Sequence, residues 1–187
     1  MNGREVLIGV TGGIAAYKTA ALVSQLVQSG AGVSVAMTSA ATKFVGPATF
    51  AALTGRAVVS DVFDAGQHPL GAHITLAQLA EVYCVAPATA NFLASSANGI
   101  ADDLVATLYL SFGGPVLVAP AMNCEMWGKP AVQRNVEQLR RDCVQVVDPE
   151  EGWLSCRTRG AGRMAAPETI FAAIQRVLLE TPVQDHD

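Results

Sequence analysis

Apolar residues in this chain follow two rhythms. Residues 5–11, Glu5-Val6-Leu7-Ile8-Gly9-Val10-Thr11, form an unbroken apolar run too short for a helix and bounded by Gly12-Gly13, which predicts a buried strand. Apolar residues at 15, 22, 23, 26 and 27, with Thr19 in line with them, then recur. Those offsets of three and four put one apolar face on a helix, which Gly30 and Gly32 close. A second strand over 33–37 completes a βαβ unit, so the sheet is expected to be parallel. Next come helical pieces over 40–54, a loop or small excursion over 56–72, and a short helix over 73–80 with Ile74, Leu76 and Leu79 facing inward. A strand over 82–86 is expected to stop at Pro87, which has no N–H for the ladder. A helical region follows from 88 to 110, broken at Gly99, and then a strand over 116–119 that Pro120 ends. A helix over 130–141, a strand over 144–147 and a last helix over 167–179, with proline in its first turn, complete the pattern.

About five strands alternating with helices predict an α/β chain: a Rossmann-like, flavodoxin-type doubly wound parallel sheet in a single domain. That domain is expected to span 1–180, with 181–187 a polar C-terminal tail. The 187 residues suffice for one full core, and 51% hydrophobic against 15% charged is an apolar surplus that points to burial between subunits, hence a homo-oligomer. No apolar run reaches the roughly 18 residues of a spanning helix, and the N-terminus carries no cleavable signal, so no membrane partner and a cytoplasmic location are expected. A net charge of −4 and a pI near 5.3 argue against nucleic acid as a partner. Four cysteines without C-x-x-C spacing and three histidines outside any ligand pattern give no metal site. Cys84 and Cys143 read as small core residues, whereas Cys156 lies in a polar, arginine-rich stretch where a thiol is exposed.

Candidate chemistry gathers at the strand ends. Thr11-Gly12-Gly13-Ile14 joins the first strand to the first helix, a geometry that offers backbone N–H groups to an anion, without the G-x-G-x-x-G or Walker pattern. Thr38-Ser39 and Pro87-Ala88-Thr89-Ala90-Asn91 add small residues and donors at the same sheet edge, as one nucleotide-like ligand would require. Lys18, four residues into the helix, is expected to point to solvent more than to a phosphate. In the loop after the strand at 116–119, Met122, Met126 and Trp127 surround Asn123, whose carboxamide needs partners, so something must cover this segment. Residues 151–164 show no periodicity and read as a flexible closing loop carrying Cys156 as a proton source and Arg163 as a partner for carboxylate or phosphate.

Val10-Thr11-Gly12-Gly13-Ile14-Ala15-Ala16-Tyr17-Lys18, His73-Ile74, Ala86-Pro87-Ala88-Thr89-Ala90-Asn91, Pro120-Ala121-Met122-Asn123-Cys124-Glu125-Met126-Trp127, and Cys156 with Gly160-Ala161-Gly162-Arg163-Met164 resemble, in this order, the homo-oligomeric flavin-containing cysteine decarboxylases. The resemblance implies a flavoprotein decarboxylase assembled as a homo-trimer or dodecamer, with FMN at the subunit interface. It implies a carboxy-lyase reaction in which a cysteinyl side chain is oxidised to a thioaldehyde, loses CO2 and is re-reduced. The small-molecule substrate it implies is 4'-phosphopantothenoylcysteine, a precursor of coenzyme A. Carried over by motif, His73, Asn123 and Cys156 are the catalytic residues, Cys156 as proton donor. Asn123 and Met126 would hold the substrate's carboxylate end, with Arg163 a further substrate contact. Gly12, Gly13, Ile14, Ser39, Pro87, Ala88, Thr89, Ala90 and Ala121 would contact FMN. Two positions depart from the family pattern: Arg157-Thr158 stand where many relatives have Gly-Asp, and Gln78 where many have a basic residue. Other readings are decarboxylation of a peptide's C-terminal cysteine, a flavin-binding regulatory protein without turnover, and a nicotinamide-dependent oxidoreductase. Many bacterial relatives continue into a ligase domain, so the chain is expected to be either stand-alone or a fragment of such a fusion.

Overall fold

The computed structural model describes residues 1–62, 71–153, 157 and 159–180. Its centre is a parallel sheet of β1 (Glu5–Val10), β2 (Gly32–Met37), β3 (Val82–Ala88), β4 (Val116–Pro120) and β5 (Gln145–Val146), in the spatial order β2-β1-β3-β4-β5. That is the flavodoxin-type order the alternation predicts. Along β1 the side chains alternate between the two faces. Val6, Ile8 and Val10 pack with Leu22, Leu26, Ile170 and Ile174, and Leu7 packs on the opposite side with Leu104, Leu108, Val136 and Leu139.

One face is therefore covered by α1 (Ala16–Gln28) and α8 (Pro167–Glu180), with α2 (Pro47–Thr54) beside α1. The other is covered by α3 (Ala72–Leu79), α4 (Ala90–Ala97), α5 (Leu104–Ser111) and α7 (Pro130–Arg141). The predicted face of α1 is buried at Ala16, Thr19, Leu22, Val23 and Leu26, and the chain leaves the helix through Gly30 at φ 85°, a conformation open to glycine. Among the described residues no helix is long and apolar enough to cross a membrane.

At the amino edge of the sheet, away from the strand ends that matter below, Glu81 is buried. It accepts from Arg4 Nε at 2.6 Å and from the Glu5 N–H at 3.0 Å, while Arg4 Nη1 donates to the Leu178 carbonyl at 2.7 Å. This cluster fastens β1, β3 and the end of α8 together.

Five expectations change. β3 does not stop at Pro87 but runs to Ala88, because the ladder shifts register between Val85 and Ala88 and the missing proline N–H falls in that irregularity. The helical stretch at 40–54 divides into a 3-10 turn, Ala41–Lys43, and α2, which begins at Pro47. Ile74 is 38% exposed rather than inward, since α3 buries Ala72 and Leu76 instead. Cys143 is exposed at φ 64°, in the turn between α7 and β5, rather than in the core. Residues 151–164 are not irregular throughout: β6 (Glu150–Trp153) and β7 (Arg159–Arg163) pair as an antiparallel hairpin. The alternation of Arg159, Ala161 and Arg163 with Gly160 and Gly162 is a period-two signal in which glycine replaces the usual apolar partner. The tail at 181–187 and the His68-Pro69 part of the excursion lie outside the described residues.

Candidate active site

Three loops converge at the carboxyl edge of the sheet, and hydrogen bonds fix them to one another. The buried Thr11 hydroxyl, just past β1, donates to the Pro87 carbonyl at 2.6 Å and accepts from the Thr89 N–H at 3.1 Å, joining the ends of β1 and β3. Ala121 N–H donates to the Ala88 carbonyl at 3.1 Å, joining the ends of β3 and β4. A side chain at Gly12 would strike Ala40, so the turn can pass there only as glycine. Gly13 N–H turns back to the Thr11 carbonyl at 2.9 Å, and the N–H groups of Gly12, Ile14 and Ala15 donate to no described residue. Three free donors thus stand at the positive end of the 13-residue α1.

After β4, Asn123 caps the short helix α6 (Cys124–Trp127), its Oδ1 accepting from the Met126 N–H at 2.8 Å. The hairpin then closes one side. Met122 N–H donates to the Gly162 carbonyl at 2.9 Å, and the Ala166 N–H donates to Glu150 Oε1 at 2.9 Å at the hairpin base. Lys18 Nζ donates to the Met164 carbonyl at 3.1 Å.

Between these parts lies a cavity of about 580 Å³, lined from the first loop by Gly12, Gly13 and Ile14, from the second by Thr89 and Ala90, and from the third by Ala121, Asn123 and Met126. Lys18 on α1 and Trp153 and Arg163 on the hairpin complete it. The walls are mostly apolar, the ionic side chains on them are both cations, and no described carboxylate lines it. Burial, and secondarily Arg163, hold the Lys18 amine below its usual pKa. The rim is open and apolar: Ile14 is 56% exposed, Tyr17 61% and Trp153 68%.

The structure brings together Gly12, Gly13, Ile14, Thr89, Ala90, Ala121, Asn123, Met126 and Arg163 from the sequence-derived set. Of the other five, four lie outside the lining and one outside the described residues. Pro87 and Ala88 are buried in β3, supporting the loop rather than lining it, because the strand runs two residues further than its proline suggests. Ser39 is exposed beyond β2, across Ala40 from Gly12. His73, on α3, is outside this chain's own cavity; its ring packs on Gly71, and its Nδ1 is buried with no hydrogen-bond partner among the described residues. Cys156 lies outside the described residues.

Lys18 reverses its expectation, since it lines the cavity instead of pointing to solvent. Position 18 follows Ala15 by three and precedes Leu22 by four, and that helical spacing on the buried face was the available signal. Trp153 had no comparable signal, because only the hairpin pairing carries it to the rim. Arg157 adopts φ 64°, a left-handed conformation that glycine takes without strain.

The hairpin's seat depends on Gly162, which has φ 129° and whose added side chain would meet the Met122 carbonyl. Gly162→Ala is expected to cost about 1–3 kcal/mol through backbone strain and loss of that close approach. Urea unfolding measures it, and a variant as stable as the parent would refute the seating.

The flavoprotein family profile matches residues 1–179. The coenzyme A biosynthesis bifunctional protein CoaBC of Bacillus subtilis is 45% identical over 180 residues, covering 96% of this chain and 44% of that protein. Its Haemophilus influenzae counterpart is 39% identical over 174 residues, covering 93% of this chain and 44% of that protein. The chain therefore spans under half the length of these relatives. Among solved structures, the FMN-dependent cysteine decarboxylase SpaF superposes with a TM-score of 0.84 at 37% identity, covering 95% of this chain and 97% of that one. A PPC decarboxylase mutant complexed with pantothenoylaminoethenethiol also gives 0.84, at 26% identity over 95% and 98% of the two chains. With a sheet in the flavodoxin order, a ligand-sized cavity at its carboxyl edge and a family match along nearly its whole length, the chain belongs to the flavoprotein family.

Proposed function

We propose that this chain decarboxylates 4'-phosphopantothenoylcysteine to 4'-phosphopantetheine with FMN as cofactor, in coenzyme A biosynthesis. The observation that carries the reading is one cavity in which free N–H groups, the Asn123 cap and two cations meet apolar walls with no carboxylate among the described lining residues. The CoaBC relatives and the PPC decarboxylase structure support the choice of substrate, and the FMN-dependent SpaF supports the cofactor. The unit assigned to this activity is 1–180, in the cytoplasm where such a metabolite is made.

The residues present fit FMN. The N–H groups of Gly12, Ile14 and Ala15 would take its phosphate at the start of α1, and the small side chains of Ala90 and Ala121 leave width for a flat ring against Ile14. When bound, FMN supplies a reversible two-electron acceptor, which lets an otherwise inert carboxylate leave as CO2. The protein's share is positional. The Asn123 amide N–H2, opposite the oxygen that caps α6, would hold the cysteinyl carboxylate, with Met126 packing beside it. The hairpin walls one side of the site through Trp153, Gly162 and Arg163. Cys156 would return a proton to carbon at the end. His73, with its unpaired Nδ1, would accept a proton, and its distance from this chain's cavity is read as service to the cavity of a neighbouring copy. The apolar rim of Ile14 and Tyr17, together with the exposed Ile74 next to His73, supports assembly as a trimer or a dodecamer.

Cys156→Ser is the test of the last step. A hydroxyl is a far weaker acid than a thiol, so the variant is expected to release CO2 and accumulate the unsaturated enethiol. Product mass spectrometry reads the outcome, and a parent-like yield of saturated 4'-phosphopantetheine would remove the proton-donor role. A competition assay against a peptide ending in cysteine decides between the two substrate classes.

A further inference from the structure

The cavity has the opposite charge balance from the chain. The sequence carries −4 overall, yet the ionic side chains on the cavity wall are Lys18 and Arg163, and no described Asp or Glu lines it. Neither cation makes a salt bridge with a described residue. Lys18 uses one donor on the Met164 carbonyl, at 3.1 Å, and an ammonium has three. The two cations also oppose each other: after burial, Arg163 is the main influence lowering the Lys18 pKa, with Glu150 and Glu168 acting in the other direction more weakly. Two like charges beside an apolar wall, with no carboxylate in salt-bridge contact with either, repel each other, and an anionic ligand between them relieves that repulsion.

We propose that Lys18 and Arg163 seat the phosphate monoester of the substrate, at the end remote from its cysteinyl carboxylate; this rests on the function proposed above. Charge selects phosphate. A phosphate monoester carries about −1.5 to −2 at pH 7, which two cations neutralise and one carboxylate would not. The carboxylate that must depart is better held by a neutral carboxamide, because a strong ion pair on the leaving group stabilises the ground state. The flavin phosphate already has donors in the free N–H groups of Gly12, Ile14 and Ala15 at the start of α1. Lys18 stands on α1 and Arg163 on β7, so the bound phosphate also ties the hairpin to the helix. A peptide substrate, lacking this phosphate, would leave the pair uncompensated.

The test compares 4'-phosphopantothenate with pantothenate, neither of which can turn over, by calorimetric titration of the FMN-loaded full chain. The parent is expected to bind the phosphorylated compound about 100-fold more tightly, from two charge-assisted contacts. Lys18→Met and Arg163→Met should each reduce that ratio about tenfold, and Lys18→Arg should retain most of it. The ratio cancels any general weakening from losing the bond to Met164, and Arg163→Met carries the test alone if Lys18→Met does not fold. An unchanged ratio in a folded Met variant overturns the proposal. So does a variant that instead loses its discrimination between FMN and riboflavin, which would give these cations to the flavin. CO2 release from 4'-phosphopantothenoylcysteine is scored separately, so a failed reaction with an intact ratio counts against the function and not against the phosphate seat.

Discussion

Asn123→Asp is expected to abolish turnover while leaving the fold and the flavin in place. Aspartate caps a helix as well as asparagine, so the bond from Met126 N–H to the side-chain oxygen, now 2.8 Å, persists and α6 is kept. What changes is the other end of the side chain: a donor becomes an anion facing the substrate carboxylate. Like charges brought together cost several kcal/mol, which corresponds to a fall in kcat/KM of about a thousandfold or more. Steady-state CO2 release measures it, with the flavin absorbance of the variant as the control for binding. A kcat/KM unchanged within a factor of two would remove Asn123 from the site.

His73→Asn is expected to lower kcat by roughly 10²–10⁴, the usual worth of a positioned proton acceptor. Its more telling property is complementation. On the proposed reading, His73 from one copy and Asn123 from the next form one site, since His73 is outside the cavity of its own chain. Mixing dissociated His73→Asn and Asn123→Asp chains and reassembling them should restore about a quarter of parent activity, because random pairing makes one interface in four with both residues intact. Activity no greater than that of the two variants alone would mean that the residues do not meet across an interface.

Most of the sheet was legible in the chain because its strands are apolar on both faces and its helices carry a strong repeat. Val82 to Cys84 and Leu117 to Ala119 have no polar side to confuse the pattern. The errors arose where tertiary contacts override a local rule. Pro87 reads as a stop, but a register shift absorbs it and β3 continues to Ala88. The hairpin was hidden because its inward positions, Gly160 and Gly162, are chosen for close approach to Cys124 and Met122 rather than for hydrophobicity. The loop residues Gly12, Gly13, Thr89, Ala90, Ala121 and Asn123 were readable because strand-end loops in this architecture share one edge. Lys18 lines the cavity because its helical spacing, three after Ala15 and four before Leu22, outweighs the pull of its charge to solvent. His73 could be picked out by motif, but on the proposed reading a neighbouring copy completes its site, which the fold of one chain does not reveal.

The central claim is that this cavity holds FMN, and the visible spectrum of the purified, assembled protein tests it most directly. The expected result is the yellow visible absorption of an oxidised flavin, with a non-covalent ligand of FMN mass released on denaturation. Colourless protein that also fails to take up added FMN would contradict it.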